Sequence, residues 1–252
     1  MVGLAPGILH GKMTHDALFW LFNNDRIRGI LKYATEVDRE FAHCRHSNHR
    51  VERYQREFER YGGRVCFFRG AEWQASEFIT KAHNSYAIGN RDEADRCLGY
   101  AIHFIQDALC PEHIFPFREG FGLGGAHLIF EAYITVGYNS KGWSSFVSNA
   151  PVIPIFSPED LRNAIGQAAN WISNFPCSYM RQDGQRVIDP RTGKVPILTG
   201  WSMSDKDIGI WMERASSLVK GATIFAAHSL VRNITLAKPG ISTLHQHGLS
   251  WP

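Results

Sequence analysis

The sequence predicts an all-α fold with its helices packed in one domain, and three observations support this prediction. Apolar residues recur at helical spacing in several segments, most clearly in residues 98–109 and 211–225. Residues that favour helix starts stand ahead of some of these segments, as Ser157 and Pro158 do. The chain shows no internal repeat, low-complexity tract or linker, so we expect residues 1–252 to form a single compact domain.

The N-terminal half is expected to form a series of helices. Thr14 is a candidate N-cap because its hydroxyl can accept a backbone N–H, and this cap would start the first helix at His15. Further helices are expected at about residues 26–41, 51–61 and 72–86. Gly89 and Asn90 are turn-forming residues, and we expect them to lead into the next helix.

The C-terminal half contains two clear helix signals. Two prolines exclude a long helix in residues 139–156. Ser157 followed by Asp160 forms a capping box, which predicts a helix reaching about residue 174. The last helix is expected at about residues 204–234, and it is long and apolar enough to lie in the centre of the core.

Composition excludes several classes of protein. The chain has 252 residues, of which 44% are apolar, so it can bury a substantial core. Its net charge of +3 is too small to indicate a nucleic-acid-binding protein. The five cysteines contain no CxxC pair, so they indicate neither a disulfide framework nor a thiolate zinc site. No apolar run approaches the roughly 18 residues of a membrane span, and the start of the chain lacks the basic-then-apolar pattern of a signal peptide.

Possible metal ligands are concentrated in residues 98–133. They include two pairs on predicted helices. The two residues of each pair are four positions apart, so both side chains project from one helix surface. Pro111 ends the first of these helices and places a further histidine on a turn between the pairs. A lone pair of this kind is usually an ordinary polar pair, but two pairs with a histidine between them indicate a metal site. The five candidate ligands are His103, Asp107, His113, His127 and Glu131.

Two stretches of the chain resemble a known family. HFIQDALCPEH followed by HLIFE is similar to the core motif of the zinc-dependent phospholipase C family, which is related to the single-strand-specific zinc nucleases. The intervals match that motif, because His113 follows His103 by ten residues and His127 follows His113 by fourteen. GKMTHDALFW resembles the family's first histidine motif, which maps onto His15. The likeness extends weakly over most of the chain, and its strong motifs lie in residues 98–133.

The resemblance implies a cluster of three zinc ions in a predominantly helical fold. Asp107 would bridge two close metals, with His103 on one and His15 on the other. His113, His127 and Glu131 would hold the third. Zinc prefers imidazole nitrogen and carboxylate oxygen, and a catalytic zinc leaves one position open for water.

The family also places an aspartate and a histidine between its first helix and its core motif. Asp38 is the candidate for the aspartate, as a metal ligand and as the group that orients the attacking water or acts as general base. His49 is the candidate for the histidine, with His46 as the alternative. The family's N-terminal tryptophan, which binds metal, has no counterpart before Trp20. A residue exposed by processing, His10 or water would take its place, or that metal is weakly held.

The function that the resemblance implies is a phospholipase C that cleaves phospholipids to diacylglycerol and a phosphorylated headgroup by metal-activated water attack. Phe115 and Phe117 stand beside His113, where they would contact acyl chains or a membrane surface, or would seal the core around the metal loop. Glu131 favours this activity over the first alternative, a zinc nuclease or 3′-nucleotidase, whose substrate would be nucleic acid. The second alternative is a non-catalytic, zinc-stabilised helical binding domain. The resemblance is also compatible with secretion.

Overall fold

Helices account for nearly all of the secondary structure in the computed structural model, which describes residues 8–40, 50–54, 69–114, 133–173 and 204–228. No strand occurs within these ranges, and the predicted all-α fold is confirmed. Residues 133–140 are also helical. The helices with defined bounds are α1 (Ile8–Leu18), α2 (Asn24–Glu40), α3 (Ala71–Ala87), α4 (Arg91–Leu109), α5 (Pro111–Ile114), α6 (Trp143–Asn149), α7 (Pro158–Ile172) and α8 (Asp205–Ala226).

The first helix starts earlier than predicted. The expected N-cap, Thr14, lies inside α1, which begins at Ile8. Leu9, Met13 and Ala17 stand four residues apart and are buried, so one stripe of α1 faces the core. Burying a Leu or Met side chain stabilises a fold by about 1.5–3 kcal/mol, which is enough to extend the helix beyond its local capping signal. The longer α1 brings residue 10 into its first turns.

Helix α4 lies at the centre of the part of the chain that the structure describes. It follows α3 through a tight turn at Gly89, whose φ of +78° suits glycine. Asn90 then caps α4 by accepting a hydrogen bond from the N–H of Glu93. On its other side α4 packs closely against α2, because a Cβ at Gly99 would lie 2.6 Å from the carbonyl oxygen of Ile30. This close contact fixes the spacing of α2 and α4 one turn before His103.

The C-terminal helices follow the predicted capping signals. The Ser157 hydroxyl accepts from the N–H of Asp160, as predicted, and the Asp160 carboxylate accepts from the N–H of Phe156, one residue before the N-cap. Ser204 caps α8 in the same way through the N–H of Asp207. As predicted, α8 is a core helix, with most of its residues from Ile208 onward buried.

Residues 150–156 are irregular, as their prolines predicted. They cross close over α8, because a Cβ at Gly221 would lie 1.9 Å from the carbonyl oxygen of Ile153. Lys220 of α8 is buried beneath this crossing, where its ammonium donates to the carbonyl oxygens of Ser148 and Ala150 at 2.8 and 2.7 Å. These carbonyls lie at the C-terminal end of α6, where the helix dipole favours a cation. Burial lowers the pKa of Lys220. Lys220 therefore joins α8 to α6.

Within the described ranges, no helix is both long and apolar enough to span a membrane. The assignment of residues 1–252 to a single domain stays a prediction.

Candidate metal centre

Helix α4 places His103 and Asp107 side by side in the core. Both side chains are almost fully buried, and His103 Nε2 lies 3.2 Å from Asp107 Oδ2. The predicted projection from one helix surface is therefore confirmed, because residues four apart on a helix face the same way. Whether they ligate a metal stays a prediction.

The orientation of His103 is set by α2. Its Nδ1 lies 2.8 Å from the carbonyl oxygen of Ala34, and a carbonyl can only accept a hydrogen bond. Nδ1 therefore carries a proton, and Nε2 is the ring nitrogen that can bind a metal. Histidines that bind metals are typically held this way, with the second nitrogen donating to a backbone carbonyl or carboxylate. The close contact at Gly99 brings Ala34 within reach of the ring.

His10 approaches the same carboxylate from α1. Its Nε2 lies 3.0 Å from Asp107 Oδ1, and its ring centre is 4.7 Å from that of His103. Its Nδ1 lies 2.8 Å from Gln106 Oε1, while the amide nitrogen of Gln106 donates to the Thr14 hydroxyl. In this orientation of the Gln106 amide Oε1 is the acceptor, so His10 Nδ1 carries a proton and Nε2 is again the nitrogen that can bind a metal.

This cluster offers donor atoms for a metal ion in the core. His10 Nε2 and His103 Nε2 lie 3.0 and 3.2 Å from the two carboxylate oxygens of Asp107. An imidazole with its proton on Nδ1 can bind a metal through the lone pair of Nε2. The donor set of two imidazoles and one carboxylate suits zinc.

His10, His103 and Asp107 form a group whose ligand atoms all lie within 4.8 Å of one another, among the residues that the structure describes. His113 lies beside this group, with its Nε2 3.7 Å from Asp107 Oδ2. It is carried by the short helix α5, where its N–H donates to the carbonyl of Cys110. The predicted ligand His113 is therefore close to Asp107, with which it would share a metal cluster.

His15 is not part of the group. Its Nδ1 lies 3.0 Å from Asp16 Oδ1, and its side chain is about half exposed, at 47%. Whether His15 binds a metal stays a prediction. His10, predicted only as a substitute for the N-terminal tryptophan, lies beside Asp107 instead. The signal that could have found it was the spacing of Leu9 and Met13, which predicts a helix that includes His10.

Most of the other predicted site residues lie outside the described residues. His46 and His49 fall in 41–49, and Phe115, Phe117, His127 and Glu131 fall in 115–132. Asp38 lies on α2, one helical turn beyond Ala34. The backbone of Asp38 is therefore near the C-terminal end of α2. Ala34, which contacts His103, lies close to the same end.

Comparison with known proteins shows little similarity. No family model matches the chain. No curated protein gives a significant match either. Among solved structures, the crystal structure of Clostridium perfringens alpha-toxin from avian strain SWCP is similar, with 13% sequence identity and a TM-score of 0.48. The match covers 94% of this chain and 66% of the toxin chain, so this chain spans just under two thirds of that length. Similarity at this level supports no conclusion about the fold or the activity of this chain.

Proposed function

We propose that the chain is a zinc-dependent phosphodiester hydrolase of the phospholipase C type. The observation that carries this proposal is the convergence of His10 Nε2 and His103 Nε2 on the two oxygens of the buried Asp107 carboxylate. The spacing of the HxxxD, PxH and HxxxE motifs supports it independently.

The geometry favours Asp107 as a bridging ligand. His10 faces Oδ1 and His103 faces Oδ2, so each oxygen has its own imidazole and could serve a separate ion. We propose His10 rather than His15 as the imidazole opposite His103. A third ion held by His113, His127 and Glu131, with His49 and Asp38 completing the cluster, belongs to the proposal on the strength of the motifs.

Zinc bound here would lower the pKa of a water molecule and neutralise charge on the phosphoryl oxygens of the substrate. The residues around the ligands would hold them in place. Ala34 and Gln106 keep the ring protons of His103 and His10 on Nδ1, away from the metal side. Burial of the ligands excludes bulk water and strengthens their electrostatic interactions. Asp38 would orient the attacking water or remove its proton.

The proposed substrate is a phospholipid, with Phe115 and Phe117 contacting its acyl chains or the membrane surface. The products would be diacylglycerol and a phosphorylated headgroup. A secreted location accords with such a substrate.

The test is metal content together with turnover. The purified protein is analysed for zinc by mass spectrometry and assayed on phosphatidylcholine vesicles, on a chromogenic phosphocholine ester and on single-stranded DNA. We expect three zinc ions per chain, release of diacylglycerol, and loss of activity on prolonged chelation that returns when zinc is added.

Two results would redirect the proposal. Turnover of DNA alone would make the chain a zinc nuclease, and one tightly bound zinc without turnover on any substrate would make it a zinc-stabilised binding domain. Full activity after complete metal removal would refute zinc-dependent hydrolysis. His228→Ala is a suitable control because His228 is exposed at the end of α8.

A further inference from the structure

We propose that Arg50 is a positioning residue for His113, holding the backbone of that predicted ligand in place against Asp107. The inference rests on the proposed function, since it concerns how the metal-binding geometry is built. It assigns a role to the short segment 50–54, which contributes no residue to the group of His10, His103 and Asp107.

Arg50 is unusual because its charged side chain is almost completely buried, at 1% exposure. Its guanidinium Nη1 donates a hydrogen bond of 2.8 Å to the carbonyl oxygen of His113. Buried arginine is rare unless its charge is paired or fully hydrogen-bonded. Such a hydrogen bond from a charged donor is also stronger than one between neutral groups.

The contact matters because α5 is too short to hold its own end. It has only four residues, Pro111–Ile114, and the carbonyl of His113 lies in its last turn, where helical carbonyls have no partner within the helix. The N–H of His113 is held by the carbonyl of Cys110, and its own carbonyl is held by Arg50. The backbone of His113 is therefore fixed on both sides, which places its ring near Asp107.

Arg50 can act in this way because its own backbone is firmly anchored. The carbonyl of Arg50 accepts from the N–H of Ala71 at 2.7 Å, at the start of α3. The carboxyl of Glu72, which is buried, accepts from the N–H of Glu52. A Cβ at Gly70 would lie 2.2 Å from the nitrogen of Glu52, so the segment passes directly against the start of α3.

The far end of the segment is anchored on α7. The Tyr54 hydroxyl donates to the carbonyl of Ala169, and Arg53 donates to the side-chain oxygen of Asn170. With α3 on one side and α7 on the other, the segment is a rigid support that directs the Arg50 guanidinium toward α5. Precise ligand placement requires this kind of support from surrounding residues.

The test is a double-mutant cycle read by metal binding. Metal-free wild type, Arg50→Met, His113→Ala and the double variant are titrated with Co²⁺, whose visible absorption reports its coordination. Competition with a chelator gives the affinities. If Arg50 acts through His113, Arg50→Met weakens binding about 10–100-fold, as loss of a group that supports a ligand does. Arg50→Met then causes no further loss of metal affinity in a protein that already carries His113→Ala.

Three further variants make the result specific. Arg28→Met is the matched control, because the Arg28 side chain is 74% exposed on α2 and pairs there with Asp25; we expect wild-type affinity. Arg50→Lys retains one charged donor and should recover part of the affinity. Arg50→Gln, which is polar but too short to reach the carbonyl, repeats the test if Arg50→Met does not fold.

Wild-type affinity in a folded Arg50→Met or Arg50→Gln variant would overturn the inference. So would losses that add in the double variant, because Arg50 would then act on the fold in general or on a different ligand. If wild-type protein itself bound no metal, the proposed function would fail and this inference with it, whereas the other outcomes leave the proposed function standing.

Discussion

Replacement of Gly99 by alanine should disturb both the stability of the fold and the candidate metal centre. The added Cβ would lie 2.6 Å from the carbonyl oxygen of Ile30 and 2.9 Å from the nitrogen of Ala34, both backbone atoms of α2. These atoms cannot rotate away, so the helices must move apart. Because ordinary contacts begin near 3.4 Å, the required shift is about 0.8 Å, and such overpacking typically costs about 1–3 kcal/mol.

The same shift acts on His103. If α2 moves away by that amount, the distance from His103 Nδ1 to the Ala34 carbonyl grows from 2.8 Å to roughly 3.6 Å, beyond the range of a hydrogen bond. His103 would lose the contact that fixes its proton on Nδ1. We expect metal affinity to fall about 10–100-fold, the usual effect of losing such a partner.

The assay is urea denaturation of the metal-free protein together with zinc affinity from chelator competition. We expect Gly99→Ala to lower the free energy of unfolding by about 2 kcal/mol, since the overpacking is partly offset by the helix propensity of alanine. Gly29→Ala is the matched control on α2, because nothing lies within 4 Å of its added Cβ. That control should be as stable as wild type or more stable. A Gly99→Ala protein with wild-type stability and wild-type zinc affinity would refute the reasoning.

Other perturbations separate the site from the scaffold. His10→Ala should remove at least one metal ion and reduce turnover at least 10-fold, while His15→Ala should leave the metal content unchanged. Mass spectrometry of both variants decides between the two histidines. Equal metal loss from both variants would contradict the assignment to His10. Burial raises the pKa of Glu72 to about 7 from 4.5. Its folded-state pKa is thus above the unfolded value, so its contribution to stability is complete below about pH 4.5 and is lost as the pH rises through 7. The free energy of unfolding of wild type, relative to that of Glu72→Gln, should therefore fall by roughly 2–3 kcal/mol over this pH range. Urea denaturation at each pH measures it. If the two proteins gave parallel plots of stability against pH, the prediction would be wrong. Lys220→Met should destabilise the protein by about 1–3 kcal/mol, because two buried carbonyls lose their donor. A lower thermal unfolding temperature with unchanged metal content would show that the effect is confined to the scaffold.

Local features of the fold were predictable from the sequence because their causes are local. The N-cap at Ser157 and the turn at Gly89 depend on residues within four positions of each other, and both occur as predicted. The start of α1 was predicted wrongly for the opposite reason. Thr14 has the chemistry of an N-cap, but the burial of Leu9 and Met13 against the rest of the protein extends the helix past it.

In the candidate site, too, the local features were predictable from the sequence and the long-range contacts were not. His103 and Asp107 were predicted to face one way because a helix of 3.6 residues per turn brings residues four apart together. Gln106, which orients His10, and Arg50, which contacts His113, carried no signal in the sequence. Each acts on a partner far away in the chain, 96 residues for Gln106 and His10 and 63 for Arg50 and His113.

By itself, the sequence determined the helical class, the run of ligand-type residues in 98–133 and the motif spacing from which a metal site is predicted. Only the tertiary structure decided that His10 rather than His15 meets Asp107, and that α2 orients His103. The physical reason is that helical periodicity and capping act between neighbours in the chain. The meeting of α1, α2 and α4 depends instead on how buried surfaces pack, down to the missing side chain at Gly99 that lets α2 approach.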